Sequence, residues 1–154
     1  TLRLISLKES LMLQKYLTRM CPGLFSSVVV IAILWLTLAP HPLPDSEVGL
    51  FEHADKVAHA LMFGGLVFAL VVDRELLRQR RYEQTGEMPR GGSFLPLLAM
   101  AGCATLFGGA IELLQSWMGL GRGCDMLDFL ADGAGAMLSA WVSPWVAALL
   151  LRRR

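Results

Sequence analysis

Four apolar stretches punctuated by clusters of arginine and lysine constrain this chain more than any other feature. They run from Leu24 to Ala39, Val57 to Val72, Phe94 to Met118 and Phe129 to Leu151. A helix needs about 20 residues to cross roughly 30 Å of hydrocarbon, so the third and fourth are long enough with tilt. The first two reach that length only with help from their flanks: Pro22 and Gly23 before the first, and a start as early as His53 for the second. With 55% hydrophobic against 18% charged residues, the 154-residue chain exceeds the apolar share of an ordinary water-soluble domain.

The basic residues fix an orientation. Arg3, Lys8, Lys15 and Arg19 precede the first stretch, Arg74, Arg78, Arg80, Arg81 and Arg90 separate the second from the third, and Arg152, Arg153 and Arg154 follow the fourth. In a four-span arrangement these twelve of the fourteen cationic residues share one side, leaving Lys56 and Arg122 on the other. Lys and Arg accumulate on the cytoplasmic side. The expected fold is therefore all-α: a polytopic membrane protein, a four-transmembrane-helix bundle with both termini cytoplasmic. Its spans are expected at about 24–39, 55–72, 94–118 and 129–151, within one membrane domain over 23–151. A basic segment over 1–22, amphipathic or disordered, precedes it; a charged cytoplasmic loop occupies 73–93 and a basic tail 152–154. A cleaved signal peptide fits poorly, because more than 20 residues would precede the apolar core and Ala39 leads into Pro40.

Punctuation within the loops agrees with this division. Pro40, Pro42 and Pro44 keep the first outer loop from being helical throughout. The second span is expected to continue as a solvated helix to about Glu83 and to break at Gly86, Pro89, Gly91 and Gly92. The loop histidines His41 and His53 read as solvated residues. Three cysteines, Cys21, Cys103 and Cys124, give no disulfide framework, and Cys103 is expected to pack between helices. Small residues at fourfold spacing, Ala131, Gly135 and Ser139, continue the face of Asp128 and are expected to point into the bundle.

Three polar motifs fall at the outer ends of three spans. Asp55, Lys56 and His59 open the second, on one side of its first turn; Glu112 and Gln115 close the third, three residues apart; Arg122, Asp125, Asp128 and Asp132 lead into the fourth. The topology rests only on Lys and Arg, yet it brings all three together. Ionisable side chains inside a membrane are costly and need partners. The acids outnumber Lys56 and Arg122, which favours a binding or catalytic pocket over a purely structural clasp. His59 beside Asp55 can serve as a general base or acid, Lys56 and Arg122 can hold a phosphate or carboxylate, and Glu112 can act as an acid. His59, Glu112 and Asp132 are thus the catalytic candidates, with Asp55, Lys56, Gln115, Arg122, Asp125 and Asp128 binding ligand. No recognised metal-ligand spacing such as H-E-x-x-H occurs, so no metal is expected, although His59 with Glu112, Asp128 or Asp132 would be the donors. No cofactor pattern, nucleophilic Ser or Cys motif, or nucleic-acid module is present.

In this order and spacing the residues resemble the VanZ-like family of small four-span bacterial membrane proteins, named for one that gives low-level teicoplanin resistance. The resemblance runs from about Trp35 to Ser139. It is carried by the Leu-Ala-Pro-His-Pro exit from the first span, Asp55-Lys56-x-x-His59, Glu112-x-x-Gln115, and Arg122 leading into Asp125-x-x-Asp128-x-x-x-Asp132-Gly-x-Gly135. Asp132 departs from the family's more common Asn and adds an acid. The resemblance implies a protein of the bacterial cell envelope, in the cytoplasmic (inner) membrane with its polar site extracytoplasmic, affecting antibiotic susceptibility. The expected partner is a membrane lipid, lipid-linked envelope precursor or glycopeptide, bound or modified at the outer leaflet; no nucleic acid is expected. The alternatives are a membrane hydrolase or transferase acting on a lipid-linked phosphate, and a non-catalytic partner of another membrane protein. Transport would require a homo-oligomer, because four spans without an internal repeat make a poor conduit.

Overall fold

The computed structural model describes residues 21–39, 54–87, 94–118 and 125–150. Among these residues there are four helices and no strands: α1 Leu24–Leu38, α2 Ala54–Thr85, α3 Leu95–Met118 and α4 Met126–Leu150. The 1–20 segment, the outer loop with His41 and His53, the loop carrying Arg122 and Cys124, and the tail from residue 151 lie outside the described residues.

Two helices, α3 and α4, are long and apolar enough to cross a membrane; α1 is apolar but shorter, at 15 residues. The 32-residue α2 continues through Asp73, Arg74 and the charged stretch before ending at Thr85. Gly86 follows at φ 70, and its N–H reaches the Tyr82 carbonyl, so the break comes at a residue that accepts the left-handed backbone closing a helix.

Large apolar side chains cover the outside. Leu61, Leu106 and Trp145 are each more than 70% exposed, whereas the fully buried positions include Asp132, Ser143 and several alanines. In water this distribution would leave a large unprotected apolar surface. Against lipid tails the outer face needs no cover, and small or polar residues are what allow helices to associate.

The core follows one line on α4, Asp132, Ala136, Ala140, Ser143 and Ala147, which packs against Phe63, Val67 and Val71 of α2 and Ala101 and Ala104 of α3. This line lies one residue round the helix from the expected Ala131, Gly135 and Ser139 stripe, which is only half-buried. That stripe instead governs the distance between α2 and α4. A Cβ at Gly135 would collide with the backbone of Ala60, and one at Gly64 would press on the Gly135 carbonyl, so glycine lets the two helices touch backbone to backbone. Cys103 is exposed on α3, not packed as expected, because its face of the helix is turned away from the bundle.

Opposite the polar end, α1 starts at Gly23 (φ 81) with no side-chain cap of its own. Asp73 of α2 supplies one. Its Oδ2 accepts hydrogen bonds from the Ser26 backbone N–H at 2.9 Å and the Ser26 hydroxyl at 2.8 Å. An anion there meets both an orphan amide and the positive end of the helix dipole, which explains why Asp73 is buried when the sequence placed it in a solvated loop.

The close approach makes a direct prediction. Gly135→Ala should destabilise the folded chain by about 1–3 kcal/mol through overpacking against Ala60. Gly102→Ala, whose added methyl meets nothing within 4 Å, should be neutral or gain up to about 1 kcal/mol from helix propensity. Melting of the two variants in detergent, followed by size exclusion, separates them.

Candidate functional site

The antiparallel packing brings the start of α2, the end of α3 and the start of α4 to one end of the bundle. Asp125 begins α4 as its N-cap: its Oδ1 accepts the Leu127 N–H at 2.8 Å and its carbonyl accepts the N–H groups of Asp128 and Phe129. Asp55 and Asp128 sit in the first turns of α2 and α4, where the helix dipole favours carboxylates.

Lys56 joins the two helices. Its Nζ donates to Asp125 Oδ2 at 2.8 Å, Asp128 Oδ1 at 2.9 Å and Asp55 Oδ2 at 3.0 Å, which uses all three ammonium hydrogens. Lys56 is therefore committed to the protein and is not the open phosphate contact that its position in sequence allowed. The bond from Lys56 holds the Asp125 carboxyl below its ordinary range, and the bond from the Leu127 N–H adds to the effect.

One turn further into the bundle lies His59. Its Nδ1 is 2.9 Å from Asp132 Oδ1, and Asp132 is completely buried. A carboxylate at this position accepts the Nδ1–H of the imidazole and leaves Nε2 facing the other way. The nearest carboxylate to Nε2 is Asp128, with Oδ2 at 3.9 Å, beyond a hydrogen bond. Phe63, one helical turn along, stacks on the ring with planes 14° apart and backs it on the apolar side. Among the described residues the second Asp132 oxygen has no hydrogen-bond partner. Gly108 of α3 makes room for this carboxylate, since a Cβ there would strike Asp132 Oδ2.

Glu112 is buried beside this pair, and its Oε2 accepts the Asp125 N–H at 3.3 Å. Of the residues expected at the site, Asp55, Lys56, His59, Glu112, Asp125, Asp128 and Asp132 converge here. Gln115 does not join them. It is buried and donates from Nε2 to the Thr37 carbonyl at 2.7 Å, tying α3 to the end of α1, where the Thr37 hydroxyl has turned back onto Ile33. Arg122 lies outside the described residues. Thr37 escaped the sequence reading because a helix-terminal carbonyl carries no signal in residue type.

An open groove of about 640 Å³ runs between α2 and α4 beside the cluster. Lys56 stands at its head; Leu61, Gly64, Phe68, Ala134 and Leu138 are among its walls. From Lys56 to Phe68 it follows α2 for about 18 Å, at 1.5 Å of rise per residue. Its lining is nearly all apolar below Lys56, and its length suits an extended hydrocarbon chain.

These features define a class: a small all-helical protein with membrane-type helices, an apolar exterior and a partly buried, acid-rich cluster at one end. Within that class the chain belongs to the VanZ/LLP1 family, whose model matches residues 25–148. The match takes in all four described helices except the first residue of α1 and the last two of α4. Searches of curated proteins and of solved structures gave no match.

The Lys56–Asp125 contact has a pH signature. Because the folded-state pKa of Asp125 is depressed, its stabilisation is complete above the ordinary Asp range, near 4, and is lost as pH falls through the lower folded value. The wild-type melting temperature should therefore fall more between about pH 5 and pH 2 than that of Asp125→Asn, which has no carboxylate to protonate. Parallel slopes for the two proteins would show that the ion pair adds nothing.

Proposed function

We propose that this chain is a VanZ-like protein of the bacterial cytoplasmic membrane that binds an outer-leaflet lipid with a phosphoester head group and acts on that head group. The four helices are read as four spans with both termini cytoplasmic, a reading supported by the separation of twelve basic residues from Lys56 and Arg122. The carrying observation is the junction of two unlike surfaces: an apolar groove long enough for a lipid chain ends at Lys56, whose partner Asp128 lies 3.9 Å from a half-buried imidazole held in one orientation by Asp132. A lipid is the ligand class that needs both. Its chain lies between α2 and α4, and its head group meets His59, Glu112 and Asp128.

The site is organised for chemistry as well as for recognition. His59 is positioned before any ligand arrives, so its Nε2 needs no reorganisation to take a proton or a ligand bond. Asp132 holds the ring but does not face the head group. Glu112, buried and accepting only a long backbone hydrogen bond, is the second reacting group. Hydrolysis or transfer on a lipid-linked phosphate is the reaction class this arrangement suits. An effect on susceptibility to teicoplanin-type antibiotics would follow from the changed envelope lipid.

A structural reading has its own support, because Lys56 and Gln115 join helices and present nothing to a ligand. The two readings separate on substitution. Purified chain is incubated with phosphatidylglycerol vesicles containing a polyprenyl pyrophosphate, and lipid products are followed by mass spectrometry. His59→Ala and Glu112→Gln should remain folded while product formation falls by about 100-fold or more, and Ala134→Trp should lower it by filling the groove. Loss of the folded protein in both site variants, or undiminished product from either, would reject a reacting site.

A further inference from the structure

Two carboxylate clusters share the polar end, and they differ in one respect. Asp55, Asp125 and Asp128 surround a position that the Lys56 ammonium fills. His59, Glu112 and Asp128 also offer one donor atom each within 4.8 Å of one another, and of the three only Asp128 has a lysine contact among the described residues. Asp128 is divided between the two, Oδ1 on Lys56 and Oδ2 3.9 Å from His59 Nε2.

We propose that His59 Nε2, Glu112 and Asp128 bind a single divalent cation of the Mn²⁺ or Zn²⁺ kind. Three observations beyond the acids themselves point to it. His59 Nε2 lies 3.9 Å from Asp128 Oδ2 and has no hydrogen-bond partner among the described residues, and it is a donor of the type these ions take. Behind it, Asp132 accepts from Nδ1–H at 2.9 Å, the carboxylate–imidazole pairing that orients metal-bound histidines. Finally, Asp132 is wholly buried with Oδ2 unpartnered.

The geometry is an open site. A cation about 2.1 Å from each donor requires donors roughly 3–3.5 Å apart, a closing of about an ångström that side-chain rotation of Asp128 and Glu112 can supply. Three protein ligands leave a position for water or for a phosphate oxygen. With the cation in place, that open position can take a phosphate oxygen of the head group. The cation's role toward the head group rests on the lipid reading above, whereas its binding does not. His59 is then a ligand through Nε2, and Asp132 is a positioning residue.

The test uses the full chain in detergent, stripped with chelator and titrated with Mn²⁺ alone, followed by electron paramagnetic resonance with detection of nitrogen modulation. One saturable Mn²⁺ per chain with a coupled imidazole nitrogen is expected. His59→Ala should abolish the modulation, and Glu112→Gln should weaken binding at least tenfold. Asp132→Asn should weaken it by about 10–100-fold while keeping the nitrogen signal, and Glu75→Gln at the opposite end should leave it unchanged. Absence of a saturable site up to millimolar Mn²⁺, binding without a nitrogen signal, or binding indifferent to Glu112→Gln would overturn the proposal. Should His59→Ala fail to fold, the wild-type nitrogen signal and Glu112→Gln still decide. Product formation on the lipid vesicles, measured separately, distinguishes the failures: a bound cation without turnover sinks the lipid reading alone, and chelator-insensitive turnover without a cation sinks this one alone.

Discussion

Asp132 is a carboxylate without solvent exposure, set among helices whose outer faces are apolar, and its one hydrogen-bond partner among the described residues is His59. An ionisable group so placed persists only where its surroundings are arranged around it. The polar end shows that arrangement. Gly108 gives up a side chain to make room for the carboxylate, Phe63 stacks on the imidazole that contacts it, and the α2–α4 backbone approach through Gly135 brings the two helices close enough for that contact.

Lys56 completes the same logic one turn outward. With three carboxylates around its ammonium, it ties the start of α2 to the start of α4 and leaves the deeper pair, His59 with Glu112, free of any cationic side chain among the described residues. Position therefore separates, within a single cluster, acids that fasten helices through Lys56 from a pair without such a contact. Gln115 with Thr37, and Asp73 with Ser26, do the fastening for α1, one at each end of that helix.

Much of this was legible in sequence because its causes are local or periodic. Apolar stretches and turn residues give the helices, including the break at Gly86, and three- and four-residue spacings place His59 with Asp55 and Glu112 with Gln115 on common faces. What sequence could not give were partners. His59 was paired with Asp55, its neighbour on the same helix, but the structure pairs it with Asp132 of α4, 73 positions away. Lys56 looked available because the number of acids folding onto it is a tertiary fact. The buried line of α4 was misplaced by one residue, since small residues mark where helices come close and not which side is most enclosed. Asp73 read as part of a charged loop because α1's need for a cap is visible only once the helices are side by side.

The lipid-binding reading joins the apolar groove to the polar cluster, and native mass spectrometry of the chain purified in mild detergent tests that junction most directly. A retained lipid carrying a phosphoester head group, in a ratio near one per chain, is the expected result. A chain that emerges bare under conditions gentle enough to preserve its fold, or one carrying only neutral lipid, would contradict it.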